Sequence, residues 1–369
     1  VTNLMIACDQ ALPNITALKP YQPGKPIEEL ERELGLSNII KLTSNENPLG
    51  PSKSALNAIV QASKELTRYP DGNGFSLKAA LAKHVQLTSD QITLGNGSND
   101  VLELLARTFV SSNDEVIFSQ YAFAVYPLVT QAIGAKAVIA PASDFGHDLD
   151  AMTTLISEKT KLIFIANPNN PTGTALAPKQ VETFLKQVPE SVIVVLDEAY
   201  VEYTTQQFNT VAWLAGYPNL VITRTFSKAY GLAALRVGYS LSSPEIADCL
   251  NRIRQPFNVN SLALVAAVAA LADKDYVEQS RQLNEAGLKQ YVTGFEQLGL
   301  TYIPSKGNFI TVDVKRNADS IYQSLLQQGV IVRPIANYGL PQHLRISVGL
   351  GEENQRCLDA LAIALEQEL

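Results

Sequence analysis

The sequence predicts an α/β protein in which a large domain, with a mainly parallel sheet between helices, is followed by a smaller α+β domain. Short apolar runs alternate with helical segments from about residue 76 to residue 250, which is typical of parallel strands buried on both faces. Beyond residue 298 the predicted strands are fewer and a helix closes the chain. The length of 369 residues is sufficient for two or three domains with cores of their own.

The first segment of the chain is punctuated by prolines, at positions 13, 20, 23 and 26, and leads into a short predicted helix, Ile27–Leu34. Such a segment is expected to lie over another surface and not to form a core. We assign residues 1–44 to an N-terminal arm and part of the small domain. A polar loop at 41–51 then precedes a helix predicted at about 52–66.

The large domain is predicted to occupy residues 45–258. Ligands of open α/β sheets bind beyond the carboxyl ends of the strands, so the loops that follow these strands are the first place to look for function. The predicted strands are Gln91–Leu94, Glu115–Ser119, Ala137–Ala140, Leu162–Ala166, Val192–Leu196 and Leu220–Thr223.

The small domain is predicted to occupy residues 259–369, after a helical stretch at 261–298. Its strands are expected at 308–313, 329–333 and 344–348, and its helices at about 317–327 and 352–368. Because the proline-rich start lies outside the parallel sheet, we expect it to pack with this domain.

Composition and charge exclude several classes of function. A net charge of -7 and a pI near 5.2 argue against a nucleic-acid partner. Cys8, Cys249 and Cys357 have no metal-ligand spacing and suit a reducing compartment. The longest apolar run, 261–272, is too short to cross a bilayer, and the first nine residues lack the basic region of a signal peptide. We therefore expect a cytoplasmic protein with no metal, nucleic-acid or membrane partner.

Chemically capable residues follow several of the predicted strands. The stretch Gly95–Asp100 opens a helix predicted at Val101–Phe109, and Ser98 and Asn99 would bring backbone N–H groups to a phosphate; a structural cap explains this pattern equally well. The stretch Tyr121–Tyr126 places aromatic rings after the next strand. Such rings are more often part of a core, although they also stack on planar ligands.

Two further stretches carry polar side chains at strand ends. In Asn167–Gly173, two X-Pro bonds favour an extended or turn geometry, which would fix an amide such as that of Asn170 in place. Asp197 ends an apolar strand, where a carboxylate is costly unless it meets a cation. Tyr200 lies three residues later and could donate a phenolic hydrogen bond; a helix-capping Asp with a structural Tyr is the less favoured alternative.

The stretch Thr225–Tyr239 contains the candidate nucleophile. Lys228 is flanked by the hydroxyls of Thr225 and Ser227, with Arg236 as a fork for phosphate. A desolvated lysine loses its proton and attacks carbonyls, although a single loop lysine is more often simply solvated. Near the C-terminus, Arg345 lies within an apolar strand and requires an anion, and Arg333 and Arg345 are both candidates for a substrate carboxylate or phosphate.

These residues together match the needs of one cofactor. They include an amine, an anionic partner for a ring nitrogen, an amide and a phenol for a ring oxygen, a stacking aromatic ring and a phosphate cradle. Pyridoxal 5'-phosphate requires all of these groups, because the cofactor carries the chemistry and the protein positions it.

The chain resembles the fold-type I, class I/II pyridoxal-phosphate-dependent aminotransferases over nearly its whole length. The matching motifs are Asn167–Gly173, Asp197–Tyr200 and Ser227–Gly238, in order and spacing. Finer markers, including residues 41–50, 68–71, 254–260 and 344–349, resemble the branch of the family that transfers the amino group of L-histidinol phosphate to 2-oxoglutarate in histidine biosynthesis.

The resemblance implies a role for each matched residue at the cofactor. Lys228 would bond the cofactor and later carry a proton, Asp197 would keep the pyridine nitrogen protonated, and Asn170 and Tyr200 would bond the phenolic oxygen. Phe123, in preference to Tyr121, would stack on the ring. The residues expected at the phosphate are Ser98, Asn99, Thr225, Ser227 and Arg236.

The resemblance also implies substrate and partner contacts. Tyr69 is expected to reach the cofactor phosphate of a second subunit, which would make the enzyme a homodimer with composite sites. Arg345 would bind the carboxylate or phosphate of the small-molecule amino donor and the carboxylates of the 2-oxo acid acceptor. Weaker candidates for this pocket are Tyr21, Asn47 and Arg333.

The same residues allow alternative functions. An aromatic amino-acid aminotransferase would use the same scaffold, since one pocket can hold an imidazole or a phenyl ring. A pyridoxal-phosphate decarboxylase or lyase is disfavoured by Arg345, which would clamp the group that a decarboxylase must release. A transcriptional regulator would need a basic DNA-binding module, and the residues before Lys41 are too few and too acidic. A plain binding module would not need the whole catalytic set.

Overall fold

The computed structural model describes residues 10–20, 24–204 and 209–367. The helices in these ranges are Pro13–Thr16, Ile27–Leu34, Lys53–Ala62, Phe75–Val85, Ser98–Phe109, Val125–Ile133, Leu149–Thr154, Pro178–Leu185, Pro244–Ile253, Ser261–Ala272, Lys274–Gln297, Ala318–Gln327 and Gly351–Gln367. Side chains that accept a backbone N–H cap several of these helices at their first turn. The capping residues include Ser52, Asp148, Ser243, Asn260 and Asn317.

The strands form one large sheet, one smaller sheet and two short pairs. In chain order they are β1 Ile40–Lys41, β2 Ile92–Gly95, β3 Glu115–Ser119, β4 Lys136–Ala140, β5 Ala142–Ser143, β6 Gly146–His147, β7 Thr160–Ala166, β8 Ile193–Asp197, β9 Leu220–Thr225, β10 Gly238–Leu241, β11 Thr301–Ile303, β12 Phe309–Asp313, β13 Val330–Ile331, β14 Arg333–Ile335 and β15 Leu340–Ser347.

The large sheet has seven strands in the order β2-β10-β9-β8-β7-β3-β4. Strand β10 is antiparallel to both of its neighbours, and β9, β8, β7, β3 and β4 pair in parallel. The predicted α/β class with a mainly parallel sheet is confirmed. Strand β10 was not predicted from the sequence, because glycine and serine interrupt its apolar residues. Gly238 is required there, since a Cβ would lie 2.4 Å from the backbone nitrogen of Ser98.

The core of the large domain lies on both faces of this sheet. In β8, Val194 and Leu196 pack into one apolar cluster, whereas Ile193 and Val195 pack into the other. This division follows from the two-residue period of a strand. Burial on both faces explains why β8 is a continuous apolar run, and why a charged residue at its end, Asp197, is exceptional.

The small domain is built on a four-stranded antiparallel sheet in the order β11-β12-β15-β14. The helices Ala318–Gln327, Gly351–Gln367 and Lys274–Gln297 enclose its core with the sheet. The run predicted as one strand at 329–333 forms two: β13 pairs with β1 of the arm, and β14 pairs with β15. Leu30 of the arm packs on Leu326 and Ile331, so this part of the arm contacts the small domain as expected. The first helix of the arm, Pro13–Thr16, instead contacts the helix Val125–Ile133 of the large domain, where Asn14 donates to the Gln131 and Ala132 carbonyls.

The helix Ser261–Ala272 lies in the chain between the large sheet and the sheet of the small domain. Its buried residues Ala263, Ala266 and Ala267 pack in the core of the large sheet, where small side chains allow a close approach to the helix Lys53–Ala62. By its packing this helix belongs with the large domain. The domain boundaries at residues 44 and 258 stay a prediction. Among the described helices, none combines the length and apolar character needed to cross a membrane.

Candidate active site

A cavity of about 190 Å³ opens at the carboxyl ends of the central parallel strands. The last residues of β7, β8 and β9 (Ala166, Asp197 and Thr225) all face it, and Arg333 and Arg345 reach it from the small domain. The cavity therefore brings together residues that are distant in sequence. Its lining residues are Ser44, Asn45, Ser98, Asn99, Phe123, Ala166, Pro168, Asn170, Asp197, Ala199, Tyr200, Thr225, Ser227, Lys228, Arg236, Arg333, Tyr338 and Arg345.

Asp197 is a buried carboxylate, only 4% exposed. It accepts hydrogen bonds from the Tyr126 hydroxyl at 2.8 Å and the Thr223 hydroxyl at 3.0 Å. Burial raises the pKa of Asp197 above its usual range, and the two hydrogen bonds oppose that rise. A cation placed in the cavity beside Asp197 would lower this pKa, since an opposite charge favours the ionised carboxylate.

Tyr126 contacts Asp197, and this residue was not among the predicted site residues. Its ring stacks on Phe164 at 4.4 Å between centroids and meets Phe123 edge-on at 5.8 Å. Burial and the charge of Asp197 raise the pKa of Tyr126, so its hydroxyl stays protonated and donates. The available signal was chemical: a buried tyrosine needs a partner for its hydroxyl.

Lys228 lies in the loop between β9 and β10 and donates from Nζ to the carbonyl of Ser44 at 3.0 Å. Burial, together with the positive charges of Arg345 and Arg236, lowers the pKa of Lys228 to about 7, whereas the charge of Glu46 opposes this change. Near neutral pH a large fraction of this side chain is the free amine, which is the nucleophilic form.

Tyr200 lies beside Lys228 in the cavity, with its ring centroid 5.8 Å from Lys228 Nζ. Its hydroxyl accepts from the amides of Asn170 at 3.1 Å and Asn45 at 3.0 Å, and burial raises the pKa of Tyr200 to about 12. The hydroxyl therefore keeps its own hydrogen, which is available to an acceptor in the cavity. Arg345 donates to Asn170 Oδ1 at 2.6 Å and to the Thr43 carbonyl at 2.6 Å.

The start of the helix Ser98–Phe109 forms one end of the cavity. The helix begins three residues before the predicted Val101, so Ser98 and Asn99 are its first turn, where backbone N–H groups have no intrahelical partner. Gly97 has a φ of +84°, and a Cβ there would meet Arg236 Nη2 at 2.4 Å. Arg236 also donates to Ser227 Oγ at 3.2 Å. These donors form a cradle for a compact anion.

Arg333 and Arg345 are directly opposite each other on β14 and β15. Like charges in this position repel each other, and an anion bound between them would remove the repulsion. Arg345 is 7% exposed and lies over the Phe309 ring, 5.5 Å from its centroid. The small domain thus brings two facing guanidinium groups to the cavity.

Other candidates lie away from the lining. Tyr69 is 82% exposed, and Tyr121 packs against Phe145 while Phe123 faces the cavity. The Asn47 amide donates to the Ala229 carbonyl and to Tyr276 and Ser280 hydroxyls. Tyr21 lies outside the described residues.

Asn45, Ser44 and Tyr338 line the cavity but were not predicted. Asn45 adopts a φ of +53°, which asparagine tolerates better than most residues. Asn47, in the same polar loop, was predicted instead, since nothing in the local sequence distinguishes the two asparagines. Over the described ranges, no group of three or more His, Cys, Asp or Glu side chains is placed to hold a metal ion.

Comparisons with known proteins agree with this arrangement. The family model of aminotransferase class I and II matches residues 37–361. Histidinol-phosphate aminotransferase 1 of Mannheimia succiniciproducens is 60% identical over 359 residues, which cover 97% of this chain and 98% of that protein. Histidinol-phosphate aminotransferase 2 of Pseudomonas aeruginosa is 56% identical over 362 residues, covering 97% and 98%.

A solved structure of another histidinol-phosphate aminotransferase is also similar to this chain, at lower sequence identity. The histidinol-phosphate aminotransferase from Sinorhizobium meliloti, in complex with pyridoxal-5'-phosphate, superposes with a TM-score of 0.91 at 30% identity and covers 98% of each chain. The fold and the sequence agree with these relatives over almost the full length of the chain. The chain belongs to the class I and II aminotransferase family.

Proposed function

We propose that the chain is a pyridoxal-phosphate-dependent aminotransferase that interconverts L-histidinol phosphate and 2-oxoglutarate with imidazole acetol phosphate and L-glutamate. The observation that carries this proposal is one cavity that holds an amine of pKa about 7, Lys228, and a buried carboxylate, Asp197. The same cavity is lined by three guanidinium groups, those of Arg236, Arg333 and Arg345. The names of the relatives at 56–60% identity support the substrate and a place in histidine biosynthesis.

The residues present fit the cofactor. Asp197 is a buried carboxylate that needs a cation, which a protonated pyridine nitrogen is, and the first turn at Ser98 with Arg236 suits a phosphate. Phe123 lines the cavity as an aromatic surface for a planar ring. When bound, the cofactor supplies an electron sink for the carbanion formed at the substrate Cα.

The chain's own residues position the reactants and move protons. Lys228, as a free amine, takes the proton from the substrate Cα and returns it at the next step, which requires a pKa near neutrality. Asp197 holds the proton on the ring nitrogen. Tyr200 donates its hydrogen to the phenolic oxygen, since its oxygen already accepts from Asn170 and Asn45. Amino donor and acceptor use the same cavity in turn, which is a ping-pong sequence.

The choice of amino donor tests the function directly. We expect L-histidinol phosphate to have a higher kcat/KM than L-phenylalanine, because a phosphate dianion gains more from the facing Arg333 and Arg345. Each donor is mixed with the cofactor-loaded enzyme without acceptor, and the loss of cofactor absorbance is followed under identical conditions. A clear preference for phenylalanine would instead establish the aromatic amino-acid aminotransferase.

Replacing Arg345 by lysine tests the shared anion site. We expect both half-reactions to lose about 1.5–3 kcal/mol in kcat/KM, the range for a hydrogen bond to a charged group. Lysine keeps the charge but lacks the fork with which Arg345 reaches Asn170 and Thr43. Steady-state kinetics with each substrate provide the measurement, and Arg107→Lys, on an exposed helix surface, is the matched control. Unchanged kinetics for both substrates would remove Arg345 from the site.

The active form is proposed to be a homodimer in the cytoplasm. Large apolar side chains are exposed on or beside the helices Lys53–Ala62, Phe75–Val85 and Ser261–Ala272, which pack together, and exposed patches of this kind mark interfaces. Cys249 and Cys357 are free thiols, which suits a reducing compartment. The exposed residues include Leu56, Val60, Leu66, Tyr69, Phe75, Phe257 and Val265.

Mixed dimers test whether Tyr69 serves the site of the other subunit. Tyr69→Ala and Lys228→Ala subunits are each expected to form inactive homodimers. A heterodimer of the two would contain one complete site, because a two-fold interface places each residue twice. We expect up to half of the wild-type activity per dimer to return when differently tagged subunits are co-purified. Purified heterodimers that stay inactive would contradict a composite site.

A further inference from the structure

Phe257 has a backbone conformation that aromatic residues rarely adopt. Its φ is +57°, in the left-handed region, and its side chain is 44% exposed. A strained residue of this kind persists only when its surroundings fix it, and such residues concentrate at functional sites. Phe257 is outside the cavity lining, so its conformation calls for a separate explanation.

Residues 254–258, called here the bracing segment, are fixed at both ends. At one end, Arg254 donates to the Gly72 carbonyl at 2.9 Å and to Asn258 Oδ1 at 2.7 Å. At the other end, the Asn258 amide donates to the Leu94 carbonyl at 3.1 Å and to Asp100 Oδ2 at 2.8 Å. The bracing segment thus connects the loop that contains Gly72 to the helix start that forms the anion cradle.

The Phe257 ring is directed at Tyr69. The two rings stack with centroids 4.8 Å apart and planes 20° from parallel. Gly72 allows this approach, since a Cβ there would lie 3.2 Å from the Phe257 ring. Tyr69 itself is 82% exposed. A solvent-exposed side chain loses rotational freedom when it binds, and holding it beforehand in one orientation reduces that loss.

We infer that Phe257 is a positioning residue for the cofactor site of the other subunit, because it holds the Tyr69 ring in the orientation needed to reach the phosphate there. The inference rests on the proposed function, since it requires a cofactor phosphate and a composite dimer. The bracing segment then supports two sites: Asn258 braces the helix start of its own subunit through Asp100, and Phe257 braces the residue offered to its partner.

Two substitutions at Phe257 distinguish the effect of its aromatic ring from the effect of its backbone conformation. Phe257→Asn removes the ring but keeps a residue that tolerates a positive φ, whereas Phe257→Tyr keeps the ring. We expect Phe257→Asn to raise the dissociation constant of pyridoxal 5'-phosphate about two- to tenfold, as for the loss of one aromatic stack. Phe257→Tyr is expected to match wild type. Titration of each apoprotein with pyridoxal 5'-phosphate measures the dissociation constants. Equal dissociation constants for Phe257→Asn and wild type would overturn the inference.

Heterodimers show which site the substitution affects. In one arrangement Phe257→Asn is on the subunit with intact Lys228; in the other it is on a Lys228→Ala subunit. Cofactor remaining on intact Lys228 after gel filtration is measured by absorbance. We expect the cofactor to be lost only in the second arrangement. There the altered Phe257 is on the subunit opposite the one that contains intact Lys228. Loss only in the first would mean that Phe257 acts on its own subunit, and would overturn the inference.

Tyr69→Ala in the same two arrangements separates this inference from the proposed function. If Tyr69→Ala weakens retention from the partner side and Phe257→Asn does not, the composite site stands and only the inference on Phe257 fails. If Tyr69→Ala has no effect from the partner side, the composite site and the inference fail together.

Discussion

Lys228→Ala is expected to reduce turnover by at least roughly 10⁴-fold, the upper range for the loss of a positioned proton-transfer group. The substitution removes the one amine among the described cavity residues, whose pKa of about 7 suits both nucleophile and proton carrier. The cradle at Ser98 and Arg236, with Asp197, remains, so we expect the variant still to bind pyridoxal 5'-phosphate without a covalent bond. Initial rates and cofactor content after desalting provide the measurements.

The control for this variant is Lys179→Ala, which removes an exposed lysine on the helix Pro178–Leu185. It is expected to keep wild-type turnover. If Lys228→Ala retained a rate within tenfold of wild type, another residue would have to supply the amine. Complete loss of cofactor from a folded Lys228→Ala protein would instead contradict the proposed noncovalent contacts.

Asp197→Asn is expected to lower the amino-transfer rate by roughly 10- to 1000-fold. An opposite charge shifts a pKa by about 1–3 units in favour of the charged form, and each unit is about 1.4 kcal/mol; an amide would lose this stabilisation of the protonated ring nitrogen. The fold should survive, since an amide oxygen still accepts from Tyr126 and the Thr223 hydroxyl can accept as well as donate.

Single-turnover rates with histidinol phosphate measure this effect, and thermal unfolding checks the fold. Asp150→Asn, at an exposed position in the helix Leu149–Thr154, is the matched control. A variant that transferred amino groups at the wild-type rate would show that Asp197 is not the partner of the ring nitrogen.

Local sequence patterns predicted the strands and the loops that follow them. The runs that became β7, β8 and β9 were visible because strands buried on both faces are continuously apolar, and their last residues, Ala166, Asp197 and Thr225, face one cavity. The position of a residue beyond a strand end, such as Lys228 in the cavity, could therefore be predicted from the amino-acid sequence alone.

Contacts between distant segments could not be predicted in the same way. The Tyr126–Asp197 hydrogen bond joins residues 71 positions apart, and Asn45 reaches Tyr200 across 155 positions. Strand β10 was missed because its four residues, Gly-Tyr-Ser-Leu, are too short and mixed to stand out. These features depend on how the elements pack, and a single sequence carries no local trace of that packing.

The lysine that bonds the cofactor can be identified by chemical labelling. The apoprotein is loaded with pyridoxal 5'-phosphate, reduced with borohydride, digested and mapped by mass spectrometry. We expect a stoichiometric label on the peptide that contains Lys228, since this lysine lies in the cavity with Asp197 and Arg236 and burial lowers its pKa to about 7. A stoichiometric label on any other lysine, with Lys228 unmodified, would show that Lys228 is not the residue that bonds the cofactor.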